Sequence, residues 1–130
     1  MKMDVQCRED IDFLIRKFYS RVRKDELLGP IFNEVIDDWD KHMDHIADFW
    51  ESSIFHVGKF KGNPMAKHME VDQKADHSIT QNHFGRWLQL WFTTLEEDFE
   101  GENTRLLKER ARNMASIMFI RIFEARKKRP

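Results

Sequence analysis

In the first part of the chain, apolar residues recur at steps of three and four: Ile11, Leu14, Ile15, Phe18, Tyr19 and Val22. That spacing draws one stripe along a 3.6-residue helix and predicts a helix with these six side chains inward. "LLGPIF" (27 to 32) interrupts it, because Pro30 disfavours the α region for Gly29 and has no amide hydrogen to donate to a continuing helix. Asp37 and Asp38 offer capping oxygens for a second helix from about Trp39 to Val57, closed by Gly58. Its stripe holds Trp39, His42, Met43, Ile46, Phe49, Trp50, Ser53, Ile54 and Val57. Thr80 caps a third helix, whose stripe Phe84, Trp87, Leu88, Trp91 and Leu95 runs toward Phe99 before Gly101 ends it. A fourth begins near Thr104 and turns Leu107, Ala111, Met114, Ala115, Met118 and Ile122 inward. No strand pattern, repeat or low-complexity tract competes, so the pattern is all-α.

The stretch from 58 to 80 has no sustained period and holds two glycines, a proline and many charges, with room for one short helical turn near Met65 to Met69. Loops of this length in a small domain usually carry function, and a bound group is one way to order this one. At 130 residues the chain is expected to form a single domain, 1–130, that buries roughly two-thirds of its unfolded surface.

Lys plus Arg (22) nearly balance Asp plus Glu (23), which gives no electrostatic case for nucleic acid or an anionic membrane. The run "RKKR" (126 to 129) reads as a solvated tail that complements a helix C-terminus. The single Cys7 cannot close an internal disulfide, and no apolar segment near the N-terminus suits a signal peptide or membrane span. A soluble, cytoplasmic protein is expected.

Several polar side chains fall on faces meant for the core. Tyr19 is the only tyrosine beside eleven phenylalanines and four tryptophans, on a stripe where a phenylalanine would satisfy packing alone. Its hydroxyl needs a partner, for which a backbone carbonyl would suffice. His42 shares its face with Trp39, Met43, Ile46, Phe49 and Trp50, and Trp87 suits plain core packing equally well. His68, in "NPMAKHMEV", sits where a short helical turn would emerge from the loop. His45 lies on the flank of its stripe, and His56, His77 and His83 lie near helix ends or in the loop, where exposure is the default.

One cysteine does not begin a structural zinc set. No Glu-x-x-His pattern supports a di-iron bundle, and neither a nucleophile elbow nor a glycine-rich phosphate loop is present. What remains is an all-α domain with inward polar groups among large aromatics and a histidine on an irregular segment. A flat apolar cofactor accounts for both. A helical interaction or sensor domain without a cofactor, or a non-haem metal-binding bundle, stays open beside it.

Four stretches together carry a resemblance: "FYSRVRKDELLGPIFNE" (18 to 34), "WDKHMDHIADFW" (39 to 50), "GNPMAKHMEV" (62 to 71) and "HFGRWLQLW" (83 to 91). In this order and rough spacing, from about Asp10 to Met118, they resemble the truncated haemoglobins, most of all the third group of that family. The glycine-pair motifs of the other two groups are missing, as is usual in the third. The resemblance implies a two-over-two helical sandwich around haem b, with the helix that bears the proximal histidine reduced to a turn. It implies His68 as the iron ligand and Phe32 against the haem edge, with Ile46, Phe49 and Trp50 nearby. Tyr19, His42 and Trp87 would line the distal side. The insert "MEVDQKADHSITQN" (69 to 82) is longer than in the shortest family members and contains His77, the alternative iron ligand.

The implied function is binding of dioxygen, nitric oxide or another diatomic ligand. Tyr19 and Trp87 would be donors to it, and His42 a third donor or a gate. Slow release would favour redox or detoxification chemistry, of a peroxidase or nitric oxide dioxygenase kind, over simple delivery; such chemistry needs a reductase that the sequence does not name. Lys59, Lys67 and Arg86 are cations available to the haem carboxylates.

Overall fold

The computed structural model describes residues 2–56 and 79–127, with side chains through Arg121. The described residues form helices α1 (Arg8–Lys24), α2 (Gly29–Val35), α3 (Trp39–Phe55), α4 (Gln81–Asp98) and α5 (Glu102–Lys127). Helix α1 packs on α3 and α4, α4 on α5, and α5 on α3. The four long helices thus close a ring of contacts around one core, with α2 tucked against α1. The short turn expected near Met65 to Met69 lies outside the described residues, as do Val57 and Gly58.

The stripes read from the sequence supply most of the buried faces, though Trp39, His42, Ile46 and Phe49 of α3 are half-buried. All six residues of the α1 stripe are buried, as are Met43, Trp50 and Ile54 of α3, Trp87, Trp91 and Leu95 of α4, and Leu107, Ala111, Ala115 and Met118 of α5. Trp91, fully buried, donates its indole N–H to the Leu107 carbonyl at 3.1 Å and so ties α4 to α5. One helix boundary differs from the sequence reading. Helix α3 stops at Phe55, with His56 in the left-handed region at φ 58°, earlier than the expected closure at Gly58. Its start is as expected, the Asp38 carboxylate accepting from the Lys41 amide at 3.1 Å.

Helix α2 is not announced by any periodicity, since seven residues offer too few positions for a stripe. Pro30 does not end α1, which stops at Lys24 where Asp25 turns extended; it sits instead in the first turn of α2, after a helical Gly29, where amide hydrogens have no helical partner and their loss costs little. The Asp25 carboxylate accepts from the amides of Leu27 and Leu28 and from Arg86 Nε of α4 at 2.6 Å. Burial works to raise the Asp25 pKa, yet these hydrogen bonds hold it below the ordinary value. A Cβ on Gly29 would stand 2.6 Å from the Arg23 carbonyl oxygen, so glycine is what lets α2 approach the end of α1 this closely.

Charges fasten the outside of the ring. Arg8, at the start of α1, meets Asp48 at 2.6 Å and the buried Glu51 at 2.8 Å, both on α3, as well as Asp12 at 2.9 Å on its own helix. Glu51 is a carboxylate on a buried face, tolerated because a guanidinium meets it there.

The segment before α1 is tied to the other end of the fold. Met3 bridges Phe99, and the Asp4 carboxylate accepts from the amides of Asn103 and Thr104 and from the Thr104 hydroxyl, each at 2.8 Å. Asp4 thus caps α5 from a hundred residues away in sequence. Gly101, at φ +146°, makes room for it, since a Cβ there would lie 2.5 Å from Asp4 Cγ. Burial works to raise the Asp4 pKa, but the capping hydrogen bonds outweigh it and hold the carboxyl below its ordinary range.

Asp4→Ala is expected to lower the unfolding free energy at pH 7 by about 1–2 kcal/mol, the usual worth of a cap. The native-state pKa is depressed, so this contribution is present above the ordinary aspartate value of about 3.9 and is lost as pH falls through the native one. In urea melts the gap between wild type and variant should therefore narrow from pH 7 to pH 3; a constant gap would mean that the charge is not the cap. Gly101→Ala should cost more than about 1 kcal/mol, because it adds strain at positive φ to a clash with Asp4.

Candidate functional site

Three helices bring the inward polar side chains to one side of the core. Tyr19 comes from the fourth turn of α1 and is buried; its ring lies 5.3 Å from His42, near-perpendicular, and 5.6 Å from Trp39. Phe18, the next residue on α1, fits between this group and α4, with ring centroids 5.0 Å from Tyr19, 5.5 Å from Trp87 and 5.0 Å from Trp91. Such edge-to-face contacts fix ring orientation as well as burying area. The half-buried His42 sits in the first turns of α3, its ring also against Trp39 at 5.7 Å.

Trp87 and Trp91 lie one turn apart on α4 with parallel rings 6.0 Å between centroids, yet their N–H groups differ. Trp91 Nε1 has the Leu107 carbonyl. Trp87 is only 6% exposed, and its Nε1 has no hydrogen-bond partner among the described residues. Leaving a buried N–H unmet costs roughly 1–3 kcal/mol, so this donor is the anomaly of the core. Burial pushes the Tyr19 phenol pKa up and keeps it protonated; the nearby Trp87 indole opposes that shift without reaching hydrogen-bond geometry.

The Trp87 side chain lines a mostly apolar cleft. Leu28, Ile31 and Phe32 form one wall, Ile79, His83, Phe84 and Trp87 another, and Met118 of α5 closes it. Its lining of apolar groups with few polar ones is typical of small-molecule and cofactor sites. Among the described residues, only His83 and Trp87 contribute polar side chains.

Phe32 lines this cleft, as does Trp87. Tyr19 and His42 form a ring cluster behind Phe18. Trp50 is buried in the core, stacked on Trp91 at 5.1 Å and on the half-buried Phe49 at 4.9 Å, and is not on the cleft wall. Ile46 is half-buried on the same helix and packs against the core. His68 and His77 lie outside the described residues. Among those that are described, no group of three or more histidine, cysteine or acidic side chains is placed to hold a metal, and no helix is long and apolar enough to cross a membrane.

Local sequence reasoning passed over His83. It is half-buried rather than exposed, and its Nδ1 accepts the Thr80 backbone N–H at 3.0 Å. Its sequence signal is its place three residues after Thr80, the slot that glutamate or glutamine fills in a capping box. Arg86, an expected partner for cofactor carboxylates, is instead engaged with Asp25 and with Gln89 at 2.8 Å.

No protein-family model matches the chain. A curated relative, the group 3 truncated haemoglobin ctb of Campylobacter jejuni, is 32% identical over 120 residues, covering 89% of this chain and 91% of that protein. The crystal structure of a group III truncated haemoglobin from Campylobacter jejuni superposes with a TM-score of 0.82 at 32% identity, over 94% of this chain and 95% of the other. Sequence and fold agree along nearly the full length of both proteins: the chain belongs to the group III truncated haemoglobins, and so to the globins, whose general property is to bind haem and its gas ligands.

Proposed function

We propose that this chain holds haem b through His68, with His77 the alternative iron ligand, and binds dioxygen or another diatomic molecule beside Tyr19 and Trp87. The observation that carries the reading is the buried Trp87 N–H, which has no hydrogen-bond partner among the described residues and belongs to a side chain that lines an apolar cleft. A flat apolar cofactor suits such a cleft, and an acceptor atom on its gas ligand suits such a donor. Haem, when bound, would supply an iron able to take a diatomic ligand.

The chain's own residues decide what happens to that ligand. Tyr19 stays protonated because burial disfavours its anion, so its hydroxyl remains a donor. Trp87 is a donor at any pH. Edge-on packing by Phe18 holds the two rings in place, so little reorganisation is needed when a ligand arrives. His42 stands against Tyr19 as a third donor or as a gate. Phe32 supports the cofactor edge from the cleft wall, and Ile46 and Phe49 contribute apolar surface from α3, with Trp50 packed beneath them.

Two hydrogen bonds of about 1 kcal/mol each would slow ligand release roughly thirtyfold. Slow release opposes delivery and favours redox handling of dioxygen, nitric oxide or peroxide, with electrons supplied by a reductase.

In haem-loaded protein the dioxygen dissociation rate of Tyr19→Phe should exceed that of wild type by about fivefold, the worth of one such bond; an unchanged rate removes Tyr19 as a donor. Expressed with ample haem, the wild type should show an intense haem absorbance band. That band should be lost or shifted in His68→Ala and kept in His77→Ala, and the reverse pattern would move the iron ligand to His77.

A further inference from the structure

Among the described residues the cleft has two polar side chains, and the ligand chemistry above uses only Trp87. The other, His83, is held in one orientation and one tautomer. A backbone amide can only donate, so the 3.0 Å bond from Thr80 N means that His83 Nδ1 carries no proton. The Thr80 hydroxyl, 2.9 Å from the same nitrogen, reinforces the arrangement. The single ring proton therefore sits on Nε2. Burial lowers the His83 pKa, so the ring stays neutral near pH 7.

His83 and Trp87 are four residues apart on α4, hence on one face and about 6 Å apart along the axis. Trp87 is the deep member of the pair, and His83 the half-exposed one at the end of the helix. An apolar slot with a fixed neutral donor near solvent suits a flat ligand that is apolar in its body and carries carboxylates on one edge. A neutral donor meets such a carboxylate without burying a second charge. Arg86, the neighbouring cation, is held by Asp25 and Gln89.

We propose that the His83 Nε2–H anchors a carboxylate of the haem, so that one imidazole both caps α4 and retains the cofactor. This rests on the haem-binding reading above. Helix start and cofactor edge then share one side chain, and ordering the first turn of α4 prepares the anchor.

The test exploits the capping slot. His83→Gln keeps both a capping acceptor and an amide donor, whereas His83→Glu keeps the cap but sets a carboxylate against the haem carboxylate. Haem transfer to an excess of an apoglobin scavenger, followed by absorbance, gives the loss rate. Natural haem should leave His83→Glu about tenfold faster than wild type and leave His83→Gln within about twofold of it, as expected for a lost hydrogen bond to a charged group. With the haem dimethyl ester, which has no free carboxylate, the three rates should converge. The unfolding midpoints of the three apoproteins should agree, since all keep the cap.

Equal loss of natural haem from wild type and His83→Glu would overturn the proposal. So would the same rate ratio persisting with the dimethyl ester, which would leave His83 a cap alone. A wild-type chain that takes up no haem overturns the underlying reading as well, and is recognised by the missing band before any variant is compared.

Discussion

The Trp91 indole is fully buried, stacked against both Trp50 and Trp87, and held by the Leu107 carbonyl 3.1 Å from its nitrogen. This one hydrogen bond fixes the rotation and height of α4 against α5, while the stacking on Trp50 fixes α4 against α3. Phe18 then locks α1 onto the same ring. Since close-packed cores adjust poorly to displaced rings, the position of every other side chain on the inner face of α4 follows from the seat of Trp91.

That face reads as a gradient. Trp91 is satisfied and structural; one turn toward the helix start, Trp87 is also buried but has an N–H to offer; one turn further, His83 is half-exposed and spends one ring nitrogen on the helix itself. The same 3.6-residue period that buries the stripe thus carries it from core to cleft to mouth. Function sits where the packing rule is kept in shape and broken in hydrogen bonding. This is the expected signature of a site on an otherwise consistent fold.

Helix periodicity exposed most of the architecture in the sequence, because an apolar stripe is a local property and the four long helices each have one. It also turned Tyr19, His42 and Trp87 inward. It could not separate Trp87 from Trp91, whose difference depends on where a carbonyl of α5 falls after packing. Helix α2 escaped because it is too short for a period, and Pro30 can end one helix or begin another. His83 escaped because histidine is an uncommon occupant of the capping-box slot. Arg86 was a plausible carboxylate partner until Asp25, sixty-one residues earlier, was seen to hold it. The Trp91 and Arg86 pairings are made across the fold, to which a local pattern is blind. The family resemblance carried the rest, through four motifs whose order no periodicity explains.

The Asp4 cap also bears on how the molecule assembles. Loop-closure entropy grows only slowly with length, so joining residue 4 to residues 103 and 104 costs little more than a shorter loop would. It nevertheless requires nearly all of the intervening chain to exist. During synthesis the first helix emerges early but its leading segment has nothing to cap until α5 begins to appear. The ring of helices is therefore fastened last at the place where its sequence starts, and contacts of such long range are the ones that slow folding. A chain arrested before residue 103 would have its first helix without the clasp that holds the leading segment to the fold.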